Sequence, residues 1–216
     1  MRELPTKYYL THFHEFIGFI TGSCEHLLDK EDAQFIDQFK QLPEDAQCIF
    51  VRGQNRKSPI IKTASLHYEE ISHFSEHFDL LLAQGFYQTL SEQHVHQVIE
   101  ILTKPELIDI LEHANIPFKR SDNKGVLLDL VNASCQPEDF DGLLGANKVV
   151  QRGYESQMRY FLYLFFGDLS SGLNKFSMRD MGIMRTKKGV NNDAARFDFI
   201  EEAKSAFFYA NHSRNM

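Results

Sequence analysis

The sequence predicts a mainly α-helical protein that opens with a winged-helix-like module, and three observations lead there. Apolar residues recur at three- and four-residue spacing along most of the chain. Glycines and prolines cut those stripes into short helices. The β-branched residues Ile60, Ile61 and Thr63 follow a helix-breaking Gly53 and Pro59, and so favour a strand in a short β-hairpin, the wing. With 216 residues, 43% hydrophobic content and nineteen Phe, the chain can bury a substantial core of one or two modest domains.

Each element has its own local reason. Tyr9, Phe13, Phe16 and Ile20 form the first apolar stripe. After Asp29, Phe35, Ile36, Phe39 and Leu42 recur at helical spacing, acids crowd the first turn, and Pro43 marks the exit. Pro43 then opens a short helix through Ile49 and Val51, with the wing behind it. From Tyr68 to Leu82, the residues Ile71, Phe74, Phe78, Leu81 and Leu82 predict a further helix, stopped by Gly85. A helix around Val95 and Ile99 leads to TKPELIDILEHANI, where Thr103 is placed to cap, Pro105 lies in the first turn and Glu106 completes a capping box. Ser121 is the expected cap of the next helix, so two short helices joined by a basic turn make a helix-extended-helix unit.

Asn132 to Gly145, with Pro137, two glycines and several acids, reads as a linker. Beyond it, Tyr154, Met158, Phe161, Leu162, Phe165 and Phe166 predict an apolar helix ended by Gly167. The last helix, Phe197 to Tyr209, is expected to expose an aromatic face. The expected divisions are a winged-helix-like module over 1–90, the helical pair over 91–135 and a helical region over 136–216.

Composition narrows the function. No apolar run approaches the roughly 20 residues a bilayer span requires, and MRELPTKYYL lacks the layout of a secretory signal, so no membrane partner and a cytoplasmic location are expected. Cys24, Cys48 and Cys135 are odd in number and far apart, which suits reduced thiols better than disulfides or a zinc knuckle.

Charge is more telling. The formal net charge is -7, yet Val51 to Ile71 carries Arg52, Arg56, Lys57 and Lys62 with no acid before Glu69. A basic surface on an acidic chain neutralises phosphates in one place while net repulsion discourages nonspecific adhesion. A solvated turn would look the same by charge alone. Lys119, Arg120 and Lys124 supply further cations at the turn of the helical pair, and Lys175, Arg179, Arg185, Lys187 and Lys188 form a second basic run.

The residues resemble the N-terminal half of FAN1-type nucleases, structure-selective DNA repair enzymes with a C-terminal VRR-NUC domain. Tyr8, Tyr9 and Leu10 match the family's opening element, and Arg52, Arg56, Lys57, Lys62 and Tyr68 to Ile71 follow its VR-x-x-x-RK-x-x-x-x-K pattern in order. The pair at Leu102 to Val131 resembles the family's SAP-like element, and Leu164 to Arg185 is similar to a third segment. Gly53 and Gln54 stand where bulkier apolar residues are usual.

The resemblance implies backbone contacts to branched or 5′-flapped DNA from Arg52, Arg56, Lys57, Lys62, Lys119, Arg120 and Lys124, with Tyr8 and Tyr9 available to stack on a base. It also implies a bacterial, nucleoid-associated protein. Family members continue into a helical-repeat region and a nuclease core that uses Mg2+ or Mn2+; neither region is recognisable here, so the chain reads as a fragment or a short relative. No catalytic or metal-ligating residue and no cofactor is expected in it. Glu202-Ala203-Lys204 lies in a helix beside Phe199, Ile200 and Phe207, where a solvent face explains it better than a strand-borne catalytic pair. His73 and His77 share a helix face but lack the His-Glu-x-x-His pattern, and His94 and His96 face different sides. The alternative reading is a noncatalytic module that docks a protein partner, or the missing domains, through its aromatic C-terminal helix.

Overall fold

The structure is a computed structural model that describes residues 5–140, 145, 148–170, 172–173 and 195–212. Among the described residues it is mainly helical with one small sheet, and it divides into two compact units assembled from noncontiguous segments. One comprises the described parts of Met1–Asn55, Tyr68–Leu81 and Tyr154–Met216, the other those of Arg56–His67 and Leu82–Gly153.

The first is an aromatic unit. Helix α1 (Tyr8–Ser23) buries Tyr9, Phe13, Phe16 and Ile20, the stripe expected from their spacing, together with Leu10, His12 and Ile17. Helix α2 (Lys30–Gln41) starts at Asp29, whose carboxylate accepts from the Asp32 N–H while Asp32 accepts from the Asp29 N–H. This reciprocal cap satisfies two otherwise orphaned donors. Helix α3 (Glu44–Gln54) follows Pro43 directly, and the buried Gln47 amide donates to the Phe39 and Leu42 carbonyls at the end of α2.

Rings from these helices interlock, with Phe13 and Phe39 4.8 Å apart, Phe39 and Phe50 5.7 Å, and Phe35 and Phe50 5.8 Å. Helix α4 (Phe74–Ala83) begins six residues later than the apolar spacing suggested. Tyr68 to Ser72 instead form turns, and His73 stands at φ 47, a conformation that interrupts helical continuity.

Two later helices among the described residues belong to this unit. The first lies at Glu155–Phe166 and buries Met158, Tyr160, Phe161 and Leu164. Gly167 closes it at φ 76, where a side chain would collide with the Arg196 guanidinium. The second lies at Ile200–His212, buries Ala203, and leaves Phe199, Phe208 and Tyr209 63%, 55% and 68% exposed. The expected aromatic face is therefore present on this helix.

The second unit holds the sheet. Strand β1 (Ile60–Lys62) forms where the β-branched residues predicted it, but its partner is not a local hairpin strand. It pairs antiparallel with β3 (Val149–Arg152), placing Ile61 opposite Val150, and β3 pairs on its other edge with β2 (Tyr87–Gln88). The wing expected from adjacent residues is thus closed by a segment far along the chain. Gly153, just past β3, has a physical requirement to be glycine, because an added Cβ would lie 1.9 Å from the Gly85 carbonyl oxygen.

Helices α5 (Val95–Ile101), α6 (Lys104–His113) and α7 (Lys124–Ser134) follow in this unit. Ile99, Leu102, Leu107, Leu111, Leu127 and Val131 form their shared core, and Phe140 from the segment read as a linker packs into it. The Thr103–Glu106 capping box forms as expected. The cap of α7 is Asn123 rather than Ser121, its side chain accepting from the Val126 N–H at 3.1 Å. A turn joining Lys119 to Asp122 occupies the preceding residues and delays the helix by two positions. The helices at Glu155–Phe166 and Ile200–His212 are called α8 and α9 below.

Candidate nucleic-acid interface

The four cations of the basic run part company in the structure. Arg52 lies in the last turn of α3, inside the aromatic unit, where its guanidinium rests 4.0 Å from the Tyr9 ring centroid and 4.2 Å from that of Tyr68. Its Nη2 donates to Glu70 Oε1 at 2.6 Å, and the Tyr9 hydroxyl donates to the same oxygen at 3.0 Å. Burial pushes the Glu70 carboxyl up, but the hydrogen bonds from Arg52, the backbone and Tyr9 together with the Arg52 charge outweigh it, and the group stays below its usual value. Burial also raises the Tyr9 hydroxyl, which keeps it a donor.

Arg56 and Lys57 follow α3 and are exposed. The Arg56 guanidinium donates to the Ser65 carbonyl, and the Ser65 hydroxyl donates to the Lys62 carbonyl at 2.7 Å, so this loop is bound to itself. Lys62, on β1, forms an ion pair with Glu106 in the first turn of α6. Burial alone would raise the Glu106 carboxyl; Lys62 and Thr103 hydrogen bonds hold it at about 2. Glu106 therefore serves twice, as the α6 cap and as the counterion of a basic-run lysine.

The turn of the helical pair presents Lys119, Arg120 and Lys124, all exposed. Arg120 pairs with Glu112 at the surface, and Lys124 donates to the Glu100 carbonyl at 3.1 Å, near the C-terminal end of α5 where carbonyls lack helical partners. Arg56, Lys57, Lys62, Lys119, Arg120 and Lys124 thus belong to the sheet unit, and Arg52 to the aromatic one. Of the proposed stacking residues, Tyr9 is 6% exposed with Arg52 over its ring, while Tyr8 is half-buried and edge-on to Tyr9 at 5.9 Å. Sequence reasoning did not include Arg152, whose Nη1 donates to the Arg56 carbonyl at 3.0 Å. The signal was the Val149-Val150 pair between breaks, which marks a strand too short to stand out.

The remaining candidates have structural surroundings. Lys204 donates to Asp29 at 2.8 Å and Asp32 at 2.6 Å and lies 4.0 Å above the Tyr160 ring, so it ties α9 to the cap of α2 rather than facing open solvent. His94 folds back on Ser91, and His96 meets Asn132 at 3.0 Å. Among the described residues, no three His, Cys, Asp or Glu side chains gather where they would hold a metal ion. The second basic run, with Lys175, Arg179, Arg185, Lys187 and Lys188, lies outside the described residues.

The FAN1 HTH domain family model matches residues 7–88. The Fanconi-associated nuclease 1 homolog of Arabidopsis thaliana is 27% identical over 196 residues, covering 83% of this chain and 22% of its own length. The homolog of Pseudomonas aeruginosa is 28% identical over 191 residues, covering 82% of this chain and 32% of its own. The chain is similar to FAN1 proteins.

It matches the N-terminal region of FAN1 proteins and spans between a fifth and a third of those two relatives. A crystal structure of paFAN1 bound to DNA with a two-nucleotide 5′ flap and a gap superposes on 99% of this chain with a TM-score of 0.81, at 23% identity and over 40% of that protein. A second, of paFAN1 with a one-nucleotide flap, gives 0.79 over 98% of the chain. The FAN1-type fold therefore extends beyond the HTH match, through the sheet and the helical pair. No helix among the described residues is long and apolar enough to cross a membrane.

Proposed function

We propose that this chain grips the backbone of 5′-flapped or branched duplex DNA, as the DNA-binding part of a structure-selective repair nuclease of the VRR-NUC type. The observation that carries the reading is the match in fold, over nearly the whole chain, to a protein held on 5′-flap DNA. Arg56 and Lys57 in the loop and Lys119 at the helical-pair turn are the exposed cations that reach phosphates, with Arg120, Lys124 and Lys62 exchanging their present partners for DNA oxygens or framing the contact. Backbone contacts carry no sequence code, so selectivity rests on the shape and bend of the branched duplex.

Phosphodiester hydrolysis in the complete enzyme would use Mg2+ or Mn2+ to stabilise the attacking and leaving oxygens. The reading assigns that ion to the catalytic part of the longer relatives. The setting is the bacterial cytoplasm, at the nucleoid.

A second reading has one observation in its favour: the exposed Phe199, Phe208 and Tyr209 on and beside α9 suit a protein partner or a further domain. Fluorescence anisotropy with 5′-flap, nicked and plain duplex DNA at two salt concentrations separates the two. The DNA reading expects flap-preferring binding that falls steeply with salt; salt-insensitive binding, or none at low salt, overturns it.

A further inference from the structure

Arg52 and Arg56 stand four residues apart in one basic run, and Arg52 has its guanidinium between two tyrosine rings with a carboxylate at its edge. The sequence positions of those partners are informative. Tyr9 and Arg52 come from α1 and α3, before the chain leaves this unit at Asn55, and Tyr68 and Glu70 come just after it returns. Two residues farther on, the Ser72 N–H donates to Asp45 at 2.9 Å, and Asp45 is itself held by Lys7 at 2.7 Å. The departing and returning stems of the Arg56–His67 segment are therefore joined by an Arg52–Glu70–Tyr9 cluster and an Asp45–Ser72 bond, all inside the aromatic unit.

We propose that Arg52 is a positioning residue that closes the neck of the Arg56–His67 segment and thereby presents its cations to DNA as a preorganised set, without gripping phosphate itself. This rests on the DNA-binding reading above. Swinging the guanidinium onto a phosphate would break a partly buried ion pair and uncover two rings, leaving Glu70 without its cation. Holding the neck closed removes that ordering cost from the binding step. Lysine does not substitute, because an ammonium lacks the planar face that lies between the rings and the fork that reaches Glu70.

Glu70→Ala separates the roles. If Arg52 is a phosphate contact, removing its acid frees it and flap DNA binds more tightly; if it closes the neck, binding weakens. We expect Glu70→Ala and Arg52→Gln each to weaken flap binding about tenfold, the equivalent of ~1.4 kcal/mol, with the salt slope of wild type. Arg52→Lys gives no rescue. Arg56→Gln, by contrast, lowers the slope by about 0.9, the loss of one phosphate contact.

Tighter binding by Glu70→Ala, or an Arg52→Gln slope reduced like that of Arg56→Gln, overturns the proposal. Hydrogen exchange of the Tyr68–Ser72 amides tests the clamp without DNA and covers the case in which wild type does not bind. Faster exchange in Arg52→Gln, with the α2 amides still protected, is expected; unchanged exchange overturns the neck, whereas absent DNA binding with a working neck overturns only the DNA reading.

Discussion

Three cations of the aromatic unit and the basic-run and helical-pair cations of the sheet unit are the same residue types in different service. In the first, Lys7, Arg52 and Lys204 each meet carboxylates at 2.6 to 2.8 Å. In the second, Arg56, Lys57, Lys119 and Lys124 stand exposed on loops and at a helix start, while Lys62 pairs with Glu106 and the exposed Arg120 with Glu112. A run of basic residues is thus not a unit of function: an acid at the right place and a ring face nearby turn one arginine into a structural clamp and leave its neighbour at the surface.

The largest expected effects lie in the aromatic unit. Phe35 is fully buried and meets the rings of Tyr154, Phe50 and Phe161 at 4.8, 5.8 and 5.8 Å. Phe35→Ala should cost about 4 kcal/mol in urea unfolding, and Leu127→Ala in the helical-pair core about 3 kcal/mol. A loss below about 1 kcal/mol at Phe35 would mean that the rings do not carry this unit. Lys204→Met comes next: it strips the cation from Asp32, whose side chain is 3% exposed, and should cost about 2 kcal/mol. Wild-type stability in that variant would return Lys204 to the class of merely solvated lysines.

At the exposed cations the expected change is in binding and not in folding. Arg56→Glu/Lys57→Glu should keep the wild-type unfolding midpoint, weaken flap DNA by at least about tenfold, ~1.4 kcal/mol, and lower the salt slope by about 2. The loss should be alike on all sequences, since phosphates carry no code. A destabilised double variant would erase the contrast between the two units.

Local features of this fold were legible in the residues, and distant pairings were not. The start of α2 after Asp29, the Thr103 cap, the Gly167 stop and the stripe of α1 are decided within a few residues, so sequence reads them directly. The partner of β1 was hidden because Val149–Arg152 is four residues long and lies beyond a stretch that reads as linker. The α7 cap moved from Ser121 to Asn123 because both residues can cap and only the turn geometry chooses. At the candidate site, charge made Arg52 and Arg56 equivalent; Tyr68 and Glu70 were visible in the sequence, but their return onto α3 is a tertiary fact. The same holds for Lys204, whose acids lie at the far end of the chain.

The smallest effect is also the one that contrasts the two units by sign. In the sheet unit, Glu106 is held at about 2 against an ordinary 4.5, so between those values the unfolded chain binds the proton more tightly than the folded one. Its contribution to stability is full above about pH 4.5 and is lost as pH falls toward about 2. In the aromatic unit, burial raises Asp32 above its ordinary 3.8 despite Lys204, so its contribution runs the other way and is lost as pH rises through that range. Urea midpoints measured across this acid range should therefore show Lys62→Met losing less stability on acidification than wild type, and Asp32→Asn losing more. The Lys62 difference should not exceed about 1 kcal/mol, because both partners keep solvent access. Parallel profiles for wild type and Lys62→Met would mean that Thr103 alone holds the Glu106 carboxylate and that Lys62 is as available to an incoming phosphate as Lys57.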